Sequence, residues 1–476
     1  MQTLRAIILS SLLLLVAIPV WGRVFVEWTE PAVPSTASLG VKDLVIPWGP
    51  DKIQLMNAAK ERGYRVYARV KAQDAAAGVE AAASNGLAGI IVEDDSSEPG
   101  QGIAHKVVQK LRNSYPGISF LVLDPGGKQP QIMGNMVQKK RGVLVVSSPT
   151  RAPWIDSNVA LARFERAFQP GQPPLFSFSW DLTDPLEKKL GPRAEDYALT
   201  VAEAGALHAD VVLSIHPNLQ KGLAERDKAA WREWDRVKTY LSFYSKERNP
   251  EPQPVAEVAV VTDHYEDAYE AMNLMARHNI TFRVLSPNEV TAQGLSGSRM
   301  VIMFSHPDAQ AAHALQAFSA AGGTVLVADP HGPSHWEPLP SVKASDGASY
   351  KIERGQTIES SQVAGDPGAF AEKVRNLLRG QGPLIYVWNA VTTLAFAYRA
   401  PQAGGMVLDL VNYAQEPLQV QVRVKGSFPS IRYETPEHGF YPALKPEIEH
   451  GFTQFVVSHL EIGAQVYLSP KAKPTE

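Results

Sequence analysis

Three acids in a row, Glu93-Asp94-Asp95, close the apolar run Gly86-Leu87-Ala88-Gly89-Ile90-Ile91-Val92. An apolar run of this length suits a parallel strand covered on both faces. Carboxylates cannot stay unpaired inside such a layer, so they belong at its carboxyl end, where α/β folds build their sites. Other strand ends carry a similar set: Glu27-Trp28, Trp48, Arg69 within its strand, Asp124, Trp154 after a sixth run, Trp180-Asp181 and His216. Flat aromatic rings beside carboxylates suit an amphipathic ligand such as a sugar. Paired carboxylates are the machinery of glycoside hydrolysis: one protonates the leaving oxygen, the other attacks the anomeric carbon or activates water. Glu93 is the expected acid/base and Asp181 the expected nucleophile or base. Glu27, Trp28, Trp48, Arg69, Asp94, Asp124, Trp154, Trp180 and His216 are the expected substrate contacts. Asp94 could instead pair with Arg69, Asp95 could cap the following helix, and His216 could simply satisfy a backbone carbonyl.

The elements that must position these groups alternate in the chain. Strand-like runs are Val24–Thr29, Asp43–Trp48, Arg65–Val70, Ala88–Asp94, Ser119–Asp124, Gly142–Ser148, Leu175–Asp181 and Ala209–Ile215, with amphipathic helical stretches between them. Strand–helix alternation implies parallel crossovers, and eight such runs are what a (β/α)8 barrel requires. The expected fold class is therefore α/β, with a small TIM-like barrel over residues 23–247. An open doubly wound sheet is the alternative. A polar, proline-rich stretch, Lys246–Pro254, reads as a linker. A second α/β unit is expected over 255–382, with residues 334–366 polar and irregular, and a β-sandwich over 383–470.

The chain has 476 residues, 46 basic against 49 acidic, and 45% hydrophobic residues, enough for two or three cores. Near-neutral charge gives no support for a nucleic-acid partner. Arg5, the apolar Ala6–Val20 and the small residues before Arg23 read as a signal peptide over 1–22, implying export to the periplasm or beyond, with an uncleaved anchor as the alternative. No later segment is apolar enough to span a membrane. There is no cysteine, which removes disulfides and thiol chemistry. The twelve histidines show no H-E-x-x-H spacing, and no glycine-rich phosphate loop or G-x-S-x-G elbow occurs. No metal or cofactor is expected.

The order of barrel, small α/β domain and terminal sandwich resembles glycoside hydrolase family 42 and the uncharacterised barrel families related to it. Val258-Ala259-Val260-Val261-Thr262 and the helix–Gly-Gly–strand element Ala320–Ala328 look like the amidotransferase-like domain that helps form trimers in that family. Met406–Tyr413 resembles a strand of its C-terminal sandwich, and Gly86–Glu93 the fourth strand of several glycosidase barrels. The resemblance implies an O-glycosyl hydrolase with a carbohydrate substrate and a homo-oligomer formed through the middle domain. That domain lacks the cysteine an amidotransferase uses. The alternative is a non-catalytic carbohydrate-binding or cell-envelope protein on a degenerate barrel, since fold does not fix function.

Overall fold

Seven parallel strands form the first sheet: β1 (Val24–Glu27), β2 (Asp43–Pro47), β3 (Arg65–Lys71), β4 (Gly89–Glu93), β5 (Ser119–Leu123), β6 (Leu175–Ser177) and β7 (Asp210–Ser214), in the order β6-β7-β1-β2-β3-β4-β5. The structure, a computed structural model, describes residues 22–94, 99, 102–123, 127–133, 138–140, 143–145, 154–169, 171–177, 180, 191–246, 253–328, 341–344, 347–360, 367–378, 382–401, 404–414 and 416–470. The sheet is nearly closed. Gly127, just past β5, lies so near β6 that a Cβ there would collide with the Ser177 carbonyl. A side chain at this position would pry the seam apart.

The expected sixth strand, Gly142–Ser148, is corrected. Val143–Val145 pairs antiparallel with Gln138–Lys140, outside the barrel order. Only two residues separate these strands, a hairpin spacing, whereas a parallel neighbour needs a crossover of a dozen residues or more. A second short ladder, Gln131–Met133 with Trp154–Asp156, also stands outside the barrel sheet.

Because side chains alternate along a strand, one residue per strand fixes the direction of all the others. Phe25, Val45, Tyr67, Ile91, Leu121, Leu123, Leu175 and Val212 form a buried cluster with a contribution from every strand, which is the barrel interior. Val26, Ile46, Ala68, Val92 and Leu213 have the other parity and pack in the outer core with the helices. Two residues before the interior cluster, at the amino ends, stand Arg23, Asp43, Arg65 and Asp210. Arg23 pairs with Asp210 at 2.8 Å, and Arg65 pairs with Asp43. Burial pushes the Asp210 carboxyl up to about 6, against the opposing pull of Arg23. Two residues after the cluster, at the carboxyl ends, come Glu27, Pro47, Arg69, Glu93 and Ser214. The barrel is thus an apolar layer between two charged ones.

The second sheet has the order Phe282–Leu285, Val258–Val261, Met300–Met303, Thr324–Val327, Gly355–Ser360, Gly347–Ile352, Ser341–Ala344, with the first five strands parallel. Residues 341–360, expected to be irregular, supply its last three strands. They are polar strands with little alternation, which is why the sequence hides them. The C-terminal region forms a four-stranded and a five-stranded sheet over a shared apolar core. No described helix is long and apolar enough to cross a membrane.

One buried knot ties these units together. Glu203, on helix Ala194–Leu207, accepts hydrogen bonds from Tyr413 Oη (2.6 Å), Asn158 N (3.1 Å) and Asn158 Nδ2 (2.6 Å). Asn158 Nδ2 also donates to the Lys128 carbonyl at 2.7 Å, just beyond β5. Burial pushes the Glu203 carboxyl up to about 7, and its three donors only partly offset that. A raised carboxyl contributes stability that is complete below its ordinary value of 4.5 and is lost as pH rises through about 7. Glu203→Gln is therefore expected to flatten the fall in stability between pH 4.5 and 7, by up to about 3 kcal/mol. Denaturant melts of both proteins across that range check it. Asp210, raised in the same sense, leaves a residual slope.

Candidate active site

The interior parity brings a charged triad together at the carboxyl mouth. Arg69 Nη1 donates to Glu27 Oε2 at 2.9 Å, and Arg69 Nε donates to Glu93 Oε1. Ser214 Oγ donates to the same Glu27 oxygen at 2.7 Å. Arg69 sits on β3 and Glu27 two strands away on β1. Pro47 of β2, paired in register with Arg69, has no polar side chain to intercept it. The three side chains are 18–26% exposed, so the triad is partly open to solvent. A guanidinium placed between two carboxylates offsets their mutual repulsion and fixes their orientation.

Trp180 and the segment after β7 frame this mouth. The half-buried Trp180 indole donates to the Ser214 carbonyl at 2.7 Å and meets the Tyr197 ring edge-on at 4.9 Å. Tyr197 Oη accepts from His216 N at 2.9 Å. Gln220, buried on helix Pro217–Ala224, accepts from Thr29 N (2.7 Å), Thr29 Oγ1 (2.6 Å) and Glu30 N (3.1 Å), and donates to the Glu27 carbonyl (3.1 Å). One amide thus clamps the turn that carries Glu27. Ser214, Tyr197 and Gln220 are absent from the sequence expectations. Ser214 could have been found by counting two past Val212, but nothing local marks Gln220. Gln220→Ala leaves two backbone N–H groups without their acceptor, an expected loss of about 2 kcal/mol, to be read as a lower denaturation midpoint.

The other expected contacts divide. Trp28 is fully buried in the outer core, its indole donating to the Glu30 carbonyl at 2.8 Å. It is a core residue and not a cleft wall, because it shares the parity of Val26. Trp48 also shares the helix-side parity, is half-buried against the same core, and donates its backbone N–H to the Arg69 carbonyl at 2.8 Å. Asp94 is turned away from Arg69, which corrects the expected pairing. Its buried carboxylate lies 3.9 Å from His105 Nε2 and so close to Gly102 that a Cβ there would collide with it. Asp94 thus sits at the start of helix Ile103–Arg112, where the dipole favours an anion. His216 is the N-cap of Pro217–Ala224, its Nδ1 accepting from Asn218 N at 3.4 Å. That satisfies a backbone N–H, where a carbonyl was expected. Trp154 lies in the outlying ladder, with its backbone opposite Met133. Asp95, Asp124 and Asp181 lie outside the described residues. Among the described residues no group of three or more His, Asp or Glu stands in an arrangement that could hold a metal.

Most of the chain is similar in fold to solved glycosidase structures. An α-L-fucosidase, isoenzyme 2 of Paenibacillus thiaminolyticus, matches with a TM-score of 0.59 and 11% identity, over 95% of this chain and 100% of that one. A cold-adapted β-galactosidase from Rahnella sp. R3 matches with a TM-score of 0.52 and 10% identity, over 89% of this chain and 94% of that one. The kinship is remote and structural, to glycoside hydrolase barrels broadly and to no single family. No protein-family model matches the chain, and no curated protein matches its sequence.

Proposed function

We propose that the protein is an exported glycoside hydrolase acting on a poly- or oligosaccharide at the carboxyl mouth of the barrel. The observation that carries this reading is the Glu27–Arg69–Glu93 triad at parallel strand ends. The fold likeness to a fucosidase and a β-galactosidase over nearly the whole chain supports it. In this reading Glu93 acts as nucleophile or base, and Arg69 aims it. Glu27, held by Arg69 and Ser214, contributes negative charge beside an oxocarbenium-like transition state. The other carboxyl role falls to Asp181, at the end of the run that contains β6. Trp180 offers its ring to the sugar. The middle α/β unit, without a cysteine, serves packing or oligomerisation, which sedimentation of the purified chain would reveal.

One observation favours a second reading. Every member of the triad is satisfied by another, as in a brace that closes a barrel mouth. On that reading the chain binds carbohydrate without cleaving it. Purified protein screened against plant and bacterial polysaccharides, with reducing-end release and retention measured separately, decides between them. Release supports the hydrolase; retention without release supports the binding protein.

A further inference from the structure

The C-terminal sandwich has a second surface with chemistry of its own. Phe396, Tyr398, Val411 and Tyr413 of the five-stranded sheet lie in the core shared with the barrel, so the four-stranded sheet turns its outer face away from it. In strand Leu418–Lys425 the valines 420, 422 and 424 point inward and are buried, which sends Gln421 and Arg423 outward. Register places Tyr386 opposite Arg423 and Arg423 opposite Gln454, with Trp388 opposite Gln421. The Tyr386 and Trp388 rings are parallel within 5°, their centroids 5.5 Å apart, and Trp388 is 37% exposed. The Arg423 guanidinium carbon lies 4.1 Å from the Phe452 centroid and 6.0 Å from that of Tyr386.

Cross-strand aromatic and arginine contacts stabilise many sheets, and that alone would not make a site. The polar groups add a second observation. Among the described residues the Arg423 guanidinium has no hydrogen bond or ion pair, and the side-chain amides of Gln421 and Gln454 have no partner either. A planar five-donor fork is thus held between two rings without an ion-pair partner, next to two free amides and an exposed indole, while the carboxylates of this face, Glu447 and Glu449, stand two strands away. A ligand that answers all of these has apolar C–H faces, hydroxyl edges and an anionic group.

We propose that this face binds an acidic polysaccharide, with sugar rings against Trp388 and Tyr386, hydroxyls on Gln421 and Gln454, and a carboxylate or sulfate on Arg423. Binding is read without turnover, so a barrel with no hydrolytic activity leaves the test intact. The full chain is run in native gels containing polygalacturonate, a sulfated galactan or a neutral galactan. Retardation by at least one acidic polymer, weaker at high salt, is expected. Trp388→Ala and Arg423→Ala should each weaken it about tenfold with unchanged melting temperatures, and Arg423→Lys should restore it only in part. Whichever acidic polymer binds more tightly identifies the anion. Three results would overturn the proposal: no retardation by either acidic polymer, retardation that both alanine variants retain, or concentration-dependent self-association that Trp388→Ala abolishes.

Discussion

Replacing Arg69 by methionine is expected to lower the stability of the chain by about 3 kcal/mol near neutral pH. Arg69 is the cation shared by Glu27 and Glu93, and its removal leaves two like charges at the mouth of one barrel. The loss sits at the lower end of the range for breaking a buried pair, because the three side chains are 18–26% exposed and water screens part of the repulsion. Ser214 still donates to Glu27, so Glu93 is the group left worst off. Arg69→Met combined with Glu93→Gln should recover part of the loss, since it removes one of the two anions. Denaturant melts of the two single variants and the double variant give the coupling. Additive losses would mean that Arg69 and Glu93 do not act on each other in solution.

All seven barrel strands were legible as apolar runs, and β1, β4 and β5 end on or run straight into an acid. Their facing was not legible. Ile90-Ile91-Val92 is apolar on both faces, so the sequence cannot say whether Glu93 or Asp94 enters the barrel. The interior cluster around Ile91 answers this in favour of Glu93, and the same parity removes Trp28 and Asp94 from the lumen. Val143–Val145 looked like a barrel strand because a three-residue apolar core has no period of its own. Gln220 was hidden for a different reason: its role depends on a contact across 191 positions of sequence with Thr29. The Arg69 bridge from β3 to β1 is likewise a product of closure, which local pattern does not encode.

The largest effect on activity is expected at Glu93. Glu93→Gln keeps the size of the side chain and an acceptor oxygen for Arg69 but removes the anion. If Glu93 attacks the anomeric carbon or activates water, hydrolysis should fall about 10²- to 10⁴-fold. The loss should appear in kcat more than in KM, because the glutamine still fills the site while the charge matters most in the transition state. Folding should change little beside Arg69→Met, as the substitution leaves one carboxylate, Glu27, to satisfy the guanidinium. The decisive measurement is therefore reducing-end release by the wild type and Glu93→Gln on one cleaved polysaccharide, with retention of that polysaccharide measured on the same samples. The barrel-mouth assignment predicts a variant that retains the polysaccharide and scarcely cleaves it. Undiminished release by Glu93→Gln would contradict it.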